Sequence, residues 1–379
     1  MTSPASRPTA LLYCQVRYGA GHFARSAAIA EALLPHFRVV MAVSGQTGDL
    51  RIPTGVDLVP MPEPEEDFLS HVSAADEGLG VALASLAAHI SPACLLIESF
   101  PFGRQNLLVE MARGLRRIRA RDPRPLIVSS VRDIQQRMLP RQDWLDRLSC
   151  DTANRFFDAA LVHTDPRISR FSDTFPLCAE LRPAVHETGY VAPAFQPLPP
   201  RDAEPVIVVS AGGGRGGDSL LEAAAAAQGA GLSADFSMRV FAGTFVSDET
   251  WQRLQAAARA TPRLSVVRWS SDLRKELGRA SVSVSRCGYN TALDVLAARV
   301  PALFVPLPTP TEDEQRRRAA RFAELDLARQ LQEDEMSPAR LADEIRRTAQ
   351  WSPSSIDIDL NGARRSAELL RAWVDERRG

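Results

Sequence analysis

Short apolar segments alternate with longer amphipathic ones along the whole chain, a pattern typical of the strand–helix–strand units of parallel sheets. In the first half, five apolar segments predict strands at residues 10–16, 39–43, 94–97, 126–131 and 159–163. The second half contains five more, at residues 205–210, 238–242, 264–269, 281–285 and 302–306. The sequence therefore predicts an α/β protein with two successive doubly wound, Rossmann-like domains.

A proline-rich segment separates the two series of strands. Residues 191–200 read Val-Ala-Pro-Ala-Phe-Gln-Pro-Leu-Pro-Pro, and the prolines oppose both a helix and a central strand. We interpret this segment as a linker between an N-terminal domain, residues 1–190, and a C-terminal domain, residues 201–352. The polar-apolar segment within residues 353–379 predicts a final helix that packs back on the first domain.

Composition and charge exclude several classes of protein. Lys and Arg total 45 against 46 Asp and Glu, so the overall charge gives no reason to expect nucleic acid as a partner. Lys275 is the only lysine, which argues against a Walker A loop and against a Schiff-base enzyme. The five scattered cysteines contain no Cys-x-x-Cys pair and argue against a disulfide framework or a zinc site. With neither a signal sequence nor an apolar run of about 18 residues, we expect a cytoplasmic protein.

The first predicted strand leads through a glycine turn into a helical segment. Gly19 and Gly21 present backbone amides at a helix N-terminus, where negative charge is stabilised, and His22 and Arg25 follow directly. Glycines that only form a turn, with His22 capping the helix, are the alternative. The spacing favours a phosphate-binding or acceptor-binding loop with His22 as the catalytic base.

The second domain begins with another strand that leads into glycines. Gly212, Gly213 and Gly214 suit a loop that wraps a diphosphate with its backbone N–H groups, and Arg215 adds a charged contact. The loop lacks the G-x-G-x-x-G spacing of dinucleotide sites, and a plain turn is the alternative.

Polar residues end three strands of the first domain. The strand-end residues are Glu98, Arg132-Asp133 and His163-Thr-Asp165, and ligands of open parallel sheets bind beyond the carboxyl ends of the strands. Each residue alone suits a structural hydrogen bond. Their convergence makes Glu98 and Asp133 further catalytic candidates and His163 an acceptor-loop candidate.

A family resemblance supports this interpretation in the second domain. The segments Arg268–Leu273, Val282–Asp294, Pro301–Pro306 and Glu314–Ala319 resemble the C-terminal domain of family 28 glycosyltransferases. Motifs over nearly the whole chain, among them residues 13–15, 98–104, 130–134 and 161–166, also resemble bacterial predicted glycosyltransferases. The resemblance implies a GT-B fold, with two Rossmann-like domains facing across a cleft.

The resemblance also assigns a donor site. It implies that Asp294 holds the donor ribose and that the segment containing Glu314 and Gln315 reaches the donor sugar. Arg318 stands where the peptidoglycan enzyme of the family has asparagine, and Asp294 replaces glutamate. The remaining candidates for nucleotide binding are Trp269, Arg286, Gly288, Asn290 and Thr291.

We therefore expect a glycosyltransferase that moves a hexosyl or N-acetylhexosaminyl group from a UDP-linked donor to an acceptor hydroxyl. Neither a metal nor a resident cofactor is expected. A nucleotide-sugar epimerase or hydrolase of the same fold, and a non-catalytic nucleotide-sugar-binding protein, are the alternatives. The acceptor is a small molecule, a glycan or a lipid-linked group.

Three further segments are open to more than one interpretation. Asp357-Ile-Asp359 has the form of a metal-binding motif of another transferase fold, but its position favours a structural role. The arginines at 113, 116, 117, 119, 121 and 124 suit a solvated helix face or a peripheral contact with anionic lipid. Residues 327–335 are interpreted as a helix end and a loop.

Overall fold

The structure is a computed structural model. It describes residues 7–16, 21–45, 51–64, 78–135, 142–192, 201–213, 216–270, 273–309, 313–354 and 356–379. The chain divides into two compact units, unit 1 with Met1–Pro193 and Asp359–Gly379, and unit 2 with Ala194–Ile358. Most of the predicted linker, residues 193–200, lies outside the described residues.

Unit 1 is a parallel sheet with helices on both faces. Its strands are β1 (Thr9–Gln15), β2 (Arg38–Ser44), β3 (Val56–Met61), β4 (Cys94–Glu98), β5 (Leu126–Arg132), β6 (Ala159–His163) and β7 (Ala184–Glu187). Its helices are α1 (Gly21–Leu33), α2 (Leu79–Ile90), α3 (Leu108–Arg121), α4 (Gln142–Phe156), α5 (Phe171–Thr174) and, from the C-terminus, α12 (Gly362–Glu376). The described strands pair in the order β3-β2-β1-β4-β5-β6-β7. The order reverses between β1 and β4, where ligand sites of such sheets lie.

Unit 2 repeats this architecture with shorter strands. Its strands are β8 (Val206–Ser210), β9 (Ser237–Phe241), β10 (Leu264–Val267), β11 (Val282–Ser285), β12 (Ala302–Phe304) and β13 (Arg329–Gln330). Its helices are α6 (Asp218–Gly229), α7 (Asp248–Ala260), α8 (Leu273–Arg279), α9 (Tyr289–Ala298), α10 (Glu314–Glu324) and α11 (Pro338–Ala349). The described strands are parallel neighbours in the order β10-β9-β8-β11-β12-β13, with the reversal between β8 and β11.

The C-terminal helix α12 belongs to the core of unit 1. Its apolar face, with Ala367, Leu370 and Val374, packs with residues of α1 and β1 in one buried cluster. Burial of each large apolar side chain stabilises the fold by about 1.5–3 kcal/mol. Gly362 starts the helix where a Cβ atom would lie 2.2 Å from the Gly189 carbonyl oxygen, so a larger residue would push the helix away.

Three strands were not predicted from the sequence. β3 contains Pro60, and its residues are partly buried or exposed, so it lacks a continuous buried apolar run. β7 has four residues and β13 has two, and both lie at the end of their sheet order. Residues 327–335, interpreted as a helix end and a loop, contain β13 and a 3₁₀ turn at Glu333–Glu335.

The segment Asp357–Asp359 and the arginine-rich segment on α3 contain residues with structural roles. The Asp359 carboxylate accepts hydrogen bonds from the backbone and side chain of Asn361 just before α12 begins. On α3, Arg119 donates to the Asp158 carboxylate at 2.6 Å and to three backbone carbonyls, whereas Arg116 is exposed. No helix within the described residues is long and apolar enough to cross a membrane.

Candidate active site and donor site

The candidate active site of unit 1 forms at the carboxyl ends of three neighbouring strands. Parallel pairing places Glu98 at the end of β4 opposite Ser130 of β5, and Arg132 at the end of β5 opposite His163 of β6. Helix α1 begins at Gly21 beside β1, and residues three apart on a helix share a face. His22 and Arg25 therefore reach the same carboxylate from one side of α1.

Glu98 is the centre of this group. Its Oε1 accepts hydrogen bonds from His22 Nδ1 at 2.7 Å, from the Ser99 hydroxyl at 2.6 Å and from the Arg25 guanidinium. Burial alone would raise the pKa of this carboxyl, but the cationic neighbours outweigh burial and hold the pKa well below its usual range. Glu98 is therefore an anion at neutral pH.

The contacts of His22 define its protonation state. Arg132 lies 2.6 Å from Nε2, and an arginine has donors only, so Nε2 accepts this hydrogen bond. The proton of the neutral ring then lies on Nδ1 and is donated to Glu98. Burial, reinforced by the charge of Arg132, lowers the pKa of His22 to about 4. The ring is consequently a neutral imidazole oriented by a carboxylate, which is the arrangement of a general base.

The loop after β4 holds Ser99 and Arg104 in left-handed backbone conformations, with φ of 61° and 59°. Such conformations cost non-glycine residues about 1–2 kcal/mol each. Buried Phe100 and Phe102 anchor the loop between these positions. This loop brings the Arg104 side chain to β1, where it donates to the Gln15 carbonyl at 3.4 Å.

The other predicted residues of unit 1 are placed as follows. His163 is fully buried, with Nε2 at 2.8 Å from the Ser130 hydroxyl and Nδ1 at 2.9 Å from the Thr188 hydroxyl. Burial, with a smaller contribution from Arg25, lowers the pKa of His163 well below its usual value. Asp133 is also buried. Gly19 lies outside the described residues.

The sequence predicts Arg25 and Arg132 as site residues but not Arg104. Arg104 stands in the motif 98–104 of the family resemblance, and its position after a strand end was the available signal. The contact between Arg132 and His22 could not be predicted, because it depends on the strand order.

In unit 2, the predicted glycine loop lies against the start of α9. Gly212 has a φ of 77°, and a Cβ atom there would lie 3.3 Å from the Thr291 hydroxyl oxygen. Gly288 is the N-cap residue of α9, and none of the described side chains caps this helix end. Around Gly213 and Gly288, no described heavy atom lies within 4 Å of a Cβ position. The loop after β8 and the α9 N-terminus thus present open backbone of the kind that binds phosphate groups. Gly214 and Arg215 lie outside the described residues.

Several predicted donor residues already have protein partners. Asp294, which is partly exposed, accepts from Arg274 of α8 at 2.6 and 3.0 Å. Arg286 is buried and donates to Glu333, to the Ser219 hydroxyl and to two backbone carbonyls. These contacts fix the end of β11 and the 3₁₀ turn at Glu333.

Buried Arg318 of α10 links this helix to the residues just before α9 and pairs with Glu314 of its own helix. Arg318 is only 1% exposed, and it donates to Glu314 at 2.5 Å and to the Cys287 carbonyl at 2.8 Å. Gln315 accepts from the backbone N–H of Leu307 at 3.2 Å and so holds the loop after β12. Trp269, just after β10, is 62% exposed and offers an aromatic face.

The two parallel sheets, each with its strand order reversed at the centre, define the GT-B class of fold, as the sequence predicts. Solved structures agree. The MurG structure of Acinetobacter baumannii matches with a TM-score of 0.62 and 16% identity, over 96% of this chain and all of that one. A putative UDP-N-acetylglucosamine 2-epimerase from Listeria monocytogenes matches with a TM-score of 0.62 and 10% identity, over 98% and 97%. At these identities the similarity concerns the fold.

Family comparison places unit 2 more narrowly. Residues 207–359 match the Glycosyltransferase family 28 C-terminal domain, which confirms the family 28 resemblance of the second half. An Acinetobacter baumannii UDP-N-acetylglucosamine–N-acetylmuramyl-(pentapeptide) pyrophosphoryl-undecaprenol N-acetylglucosamine transferase is 33% identical over 90 residues, which are 24% of this chain and 25% of that enzyme. The chain thus spans about a quarter of the length of the curated relatives it matches.

Proposed function

We propose that the protein is a glycosyltransferase that moves a sugar from a nucleotide diphosphate sugar, UDP-linked, to an acceptor hydroxyl. The observation that carries the proposal is the neutral, carboxylate-oriented imidazole of His22 in a chain whose unit 2 matches the family 28 domain. Unit 2 binds the donor and unit 1 binds the acceptor. The names of the relatives support a UDP-N-acetylglucosamine donor and a lipid-linked acceptor as the first candidates to test.

In the proposed reaction, His22 Nε2 takes the proton of the acceptor hydroxyl. The hydroxyl oxygen forms a bond to the anomeric carbon of the donor, and the bond from that carbon to the diphosphate oxygen breaks. Glu98 stabilises the imidazolium that forms, because its carboxylate already accepts from Nδ1. The nucleoside diphosphate leaves with its charge stabilised by backbone N–H groups of the Gly212 loop and the α9 N-terminus.

Donor binding provides the first test, with Asp294 as the proposed ribose contact. Asp294→Ala should weaken UDP binding at least about tenfold, because it removes the carboxylate proposed to accept hydrogen bonds from the ribose hydroxyls. A hydrogen bond to a charged group contributes about 1.5 kcal/mol or more. Isothermal titration with UDP and with UDP-N-acetylglucosamine measures the change.

The matched control is Arg274→Met, which breaks the Arg274–Asp294 pair but keeps the carboxylate. It should bind UDP within about threefold of wild type. Equal losses in both variants would mean that the pair only joins α8 to α9, and the ribose assignment would be withdrawn. If the protein converts a UDP-sugar to its epimer without any acceptor, the function is that of an epimerase and the proposal of a transferase is wrong.

A further inference from the structure

Three guanidinium groups lie around the Glu98–His22 pair at the edge of the unit 1 sheet. We call Arg25, Arg104 and Arg132 the arginine cluster. Arg25 donates to Glu98, Arg132 donates to His22, and Arg104 lies close enough to interact electrostatically with both Glu98 and Arg132. Burial, together with the repulsion of Arg132, lowers the pKa of Arg104. With His22 and the buried His163 of β6 neutral, Glu98 is the carboxylate hydrogen-bonded within this group.

Buried positive charge of this kind is stabilised by an anion. Arginines are the usual ligands of phosphate and carboxylate groups because their planar forks donate in pairs. Arg25 is only 1% exposed and is held on Glu98, whereas Arg104 and Arg132 are partly exposed at the strand ends. The two partly exposed arginines are therefore the members positioned to meet a ligand.

The contact between Arg132 and His22 has a chemical consequence. Nε2 of His22 uses its lone pair to accept from Arg132, and an arginine stays protonated at any physiological pH. While this bond lasts, Nε2 cannot take a proton from an acceptor hydroxyl. Base catalysis by His22 therefore requires that Arg132 first leave Nε2.

We propose that the arginine cluster binds an oxyanion carried by the acceptor, a phosphate or a carboxylate, and that this anion draws Arg132 away from Nε2 of His22. The base is then exposed only when an anionic acceptor is present. An acceptor without the oxyanion leaves His22 covered. This inference rests on the proposed function for its role in catalysis, but the anion site itself can be tested without any transfer reaction.

The test is the titration of His22 followed by NMR in histidine-labelled full-length protein, with the resonance assigned by its loss in His22→Asn. Inorganic sulfate and inorganic phosphate are the probes, and chloride at equal ionic strength is the control. Bound anion that withdraws Arg132 should raise the pKa of His22 from about 4 toward the ordinary value of about 6.5.

Arg132→Gln should raise the pKa of His22 by about one unit or more without any anion, since it removes a nearby positive charge. Sulfate should then have little further effect. Arg104→Gln should raise the pKa of His22 less than Arg132→Gln does, because Arg104 is the weaker of the two charges that lower it, and should need at least about tenfold more sulfate for the same shift. Arg116→Gln, on the exposed side of α3, is the matched control and should titrate like wild type.

The inference is overturned if saturating sulfate and phosphate leave the pKa of His22 unchanged. It is also overturned if sulfate shifts this pKa by the same amount in Arg132→Gln as in wild type. If His22 responds to anions but no glycosyl transfer is ever found, the anion site stands and the proposed function fails. If transfer to neutral acceptors proceeds as fast as transfer to phosphorylated ones, the link between the anion and the base is wrong. A larger effect of phosphorylated than of carboxylated sugars on the titration would identify the oxyanion as phosphate.

Discussion

Glu98→Gln is predicted to destabilise unit 1 far more than an ordinary surface change. The substitution keeps an oxygen for His22 and Ser99 but removes the negative charge that pairs with buried Arg25. Removing one partner of a buried ion pair costs about 3–5 kcal/mol because the other charge stays buried. Since glutamine still accepts a hydrogen bond, we expect the lower end, about 3 kcal/mol.

Buried cysteines allow the two units to be followed separately. Cys14 lies in β1, Cys94 lies in β4 and Cys287 lies in unit 2. Each is at most 1% exposed. When opening is fast relative to labelling, the labelling rate follows the opening equilibrium. A loss of 3 kcal/mol should therefore speed labelling of Cys14 and Cys94 roughly 150-fold and leave Cys287 unchanged. Peptide mass spectrometry after a pulse of thiol-labelling reagent measures the extent of labelling at each cysteine.

Two variants control this experiment. Arg25→Met combined with Glu98→Gln removes the unpaired charge and should restore much of the protection of Cys94. Glu344→Gln removes a buried carboxylate of unit 2 whose arginine partners are 34–59% exposed and can be rehydrated, so its cost should be only about 1 kcal/mol. Unchanged labelling of Cys14 and Cys94 in Glu98→Gln would refute the account of Glu98 as the buried counter-charge.

Acidification and a second buried ion pair give two further predictions. Because the pKa of His22 is about 4 in the folded protein and about 6.5 in the unfolded chain, the unfolded chain binds more protons between these values, and unit 1 should lose on the order of 3 kcal/mol as the pH falls from 6.5 to 4. His22→Asn should flatten this part of the Cys14 labelling profile, and an unaltered profile would argue against the low pKa. Arg318→Asn should destabilise unit 2 by about 3 kcal/mol, since it removes the buried guanidinium that donates to Glu314 and to the Cys287 carbonyl. Faster labelling of Cys287 but not of Cys94 would show this, and equal rates in the variant and wild type would contradict it.

Central strands such as those at residues 94–97 and 206–209 could be predicted because each is a continuous apolar run buried on both faces. The short edge strands β7 and β13 carry no such run and form because a neighbouring strand offers free hydrogen-bonding groups. These two strands can be identified only from their pairing in the sheet and not from the local sequence pattern.

The candidate site was predictable by residue type and position but not by partner. His22 and Glu98 could be named because each stands at a strand end or a helix start. The pairs Arg132–His22, Arg286–Glu333 and Arg318–Cys287 join residues that are 110, 47 and 31 positions apart. Such pairs depend on strand order and helix packing, which single-residue patterns do not encode.

The most direct test of the proposed function is release of UDP from UDP-sugars by the full chain with a panel of phosphorylated and neutral sugar acceptors. His22→Asn should lower this release by about 10²–10⁴-fold, the contribution of a positioned base, without changing UDP affinity. His89→Asn, on the exposed last turn of α2, is the matched control and should match wild type. Tight UDP-sugar binding with no release for any acceptor, or full activity in His22→Asn, would contradict the account.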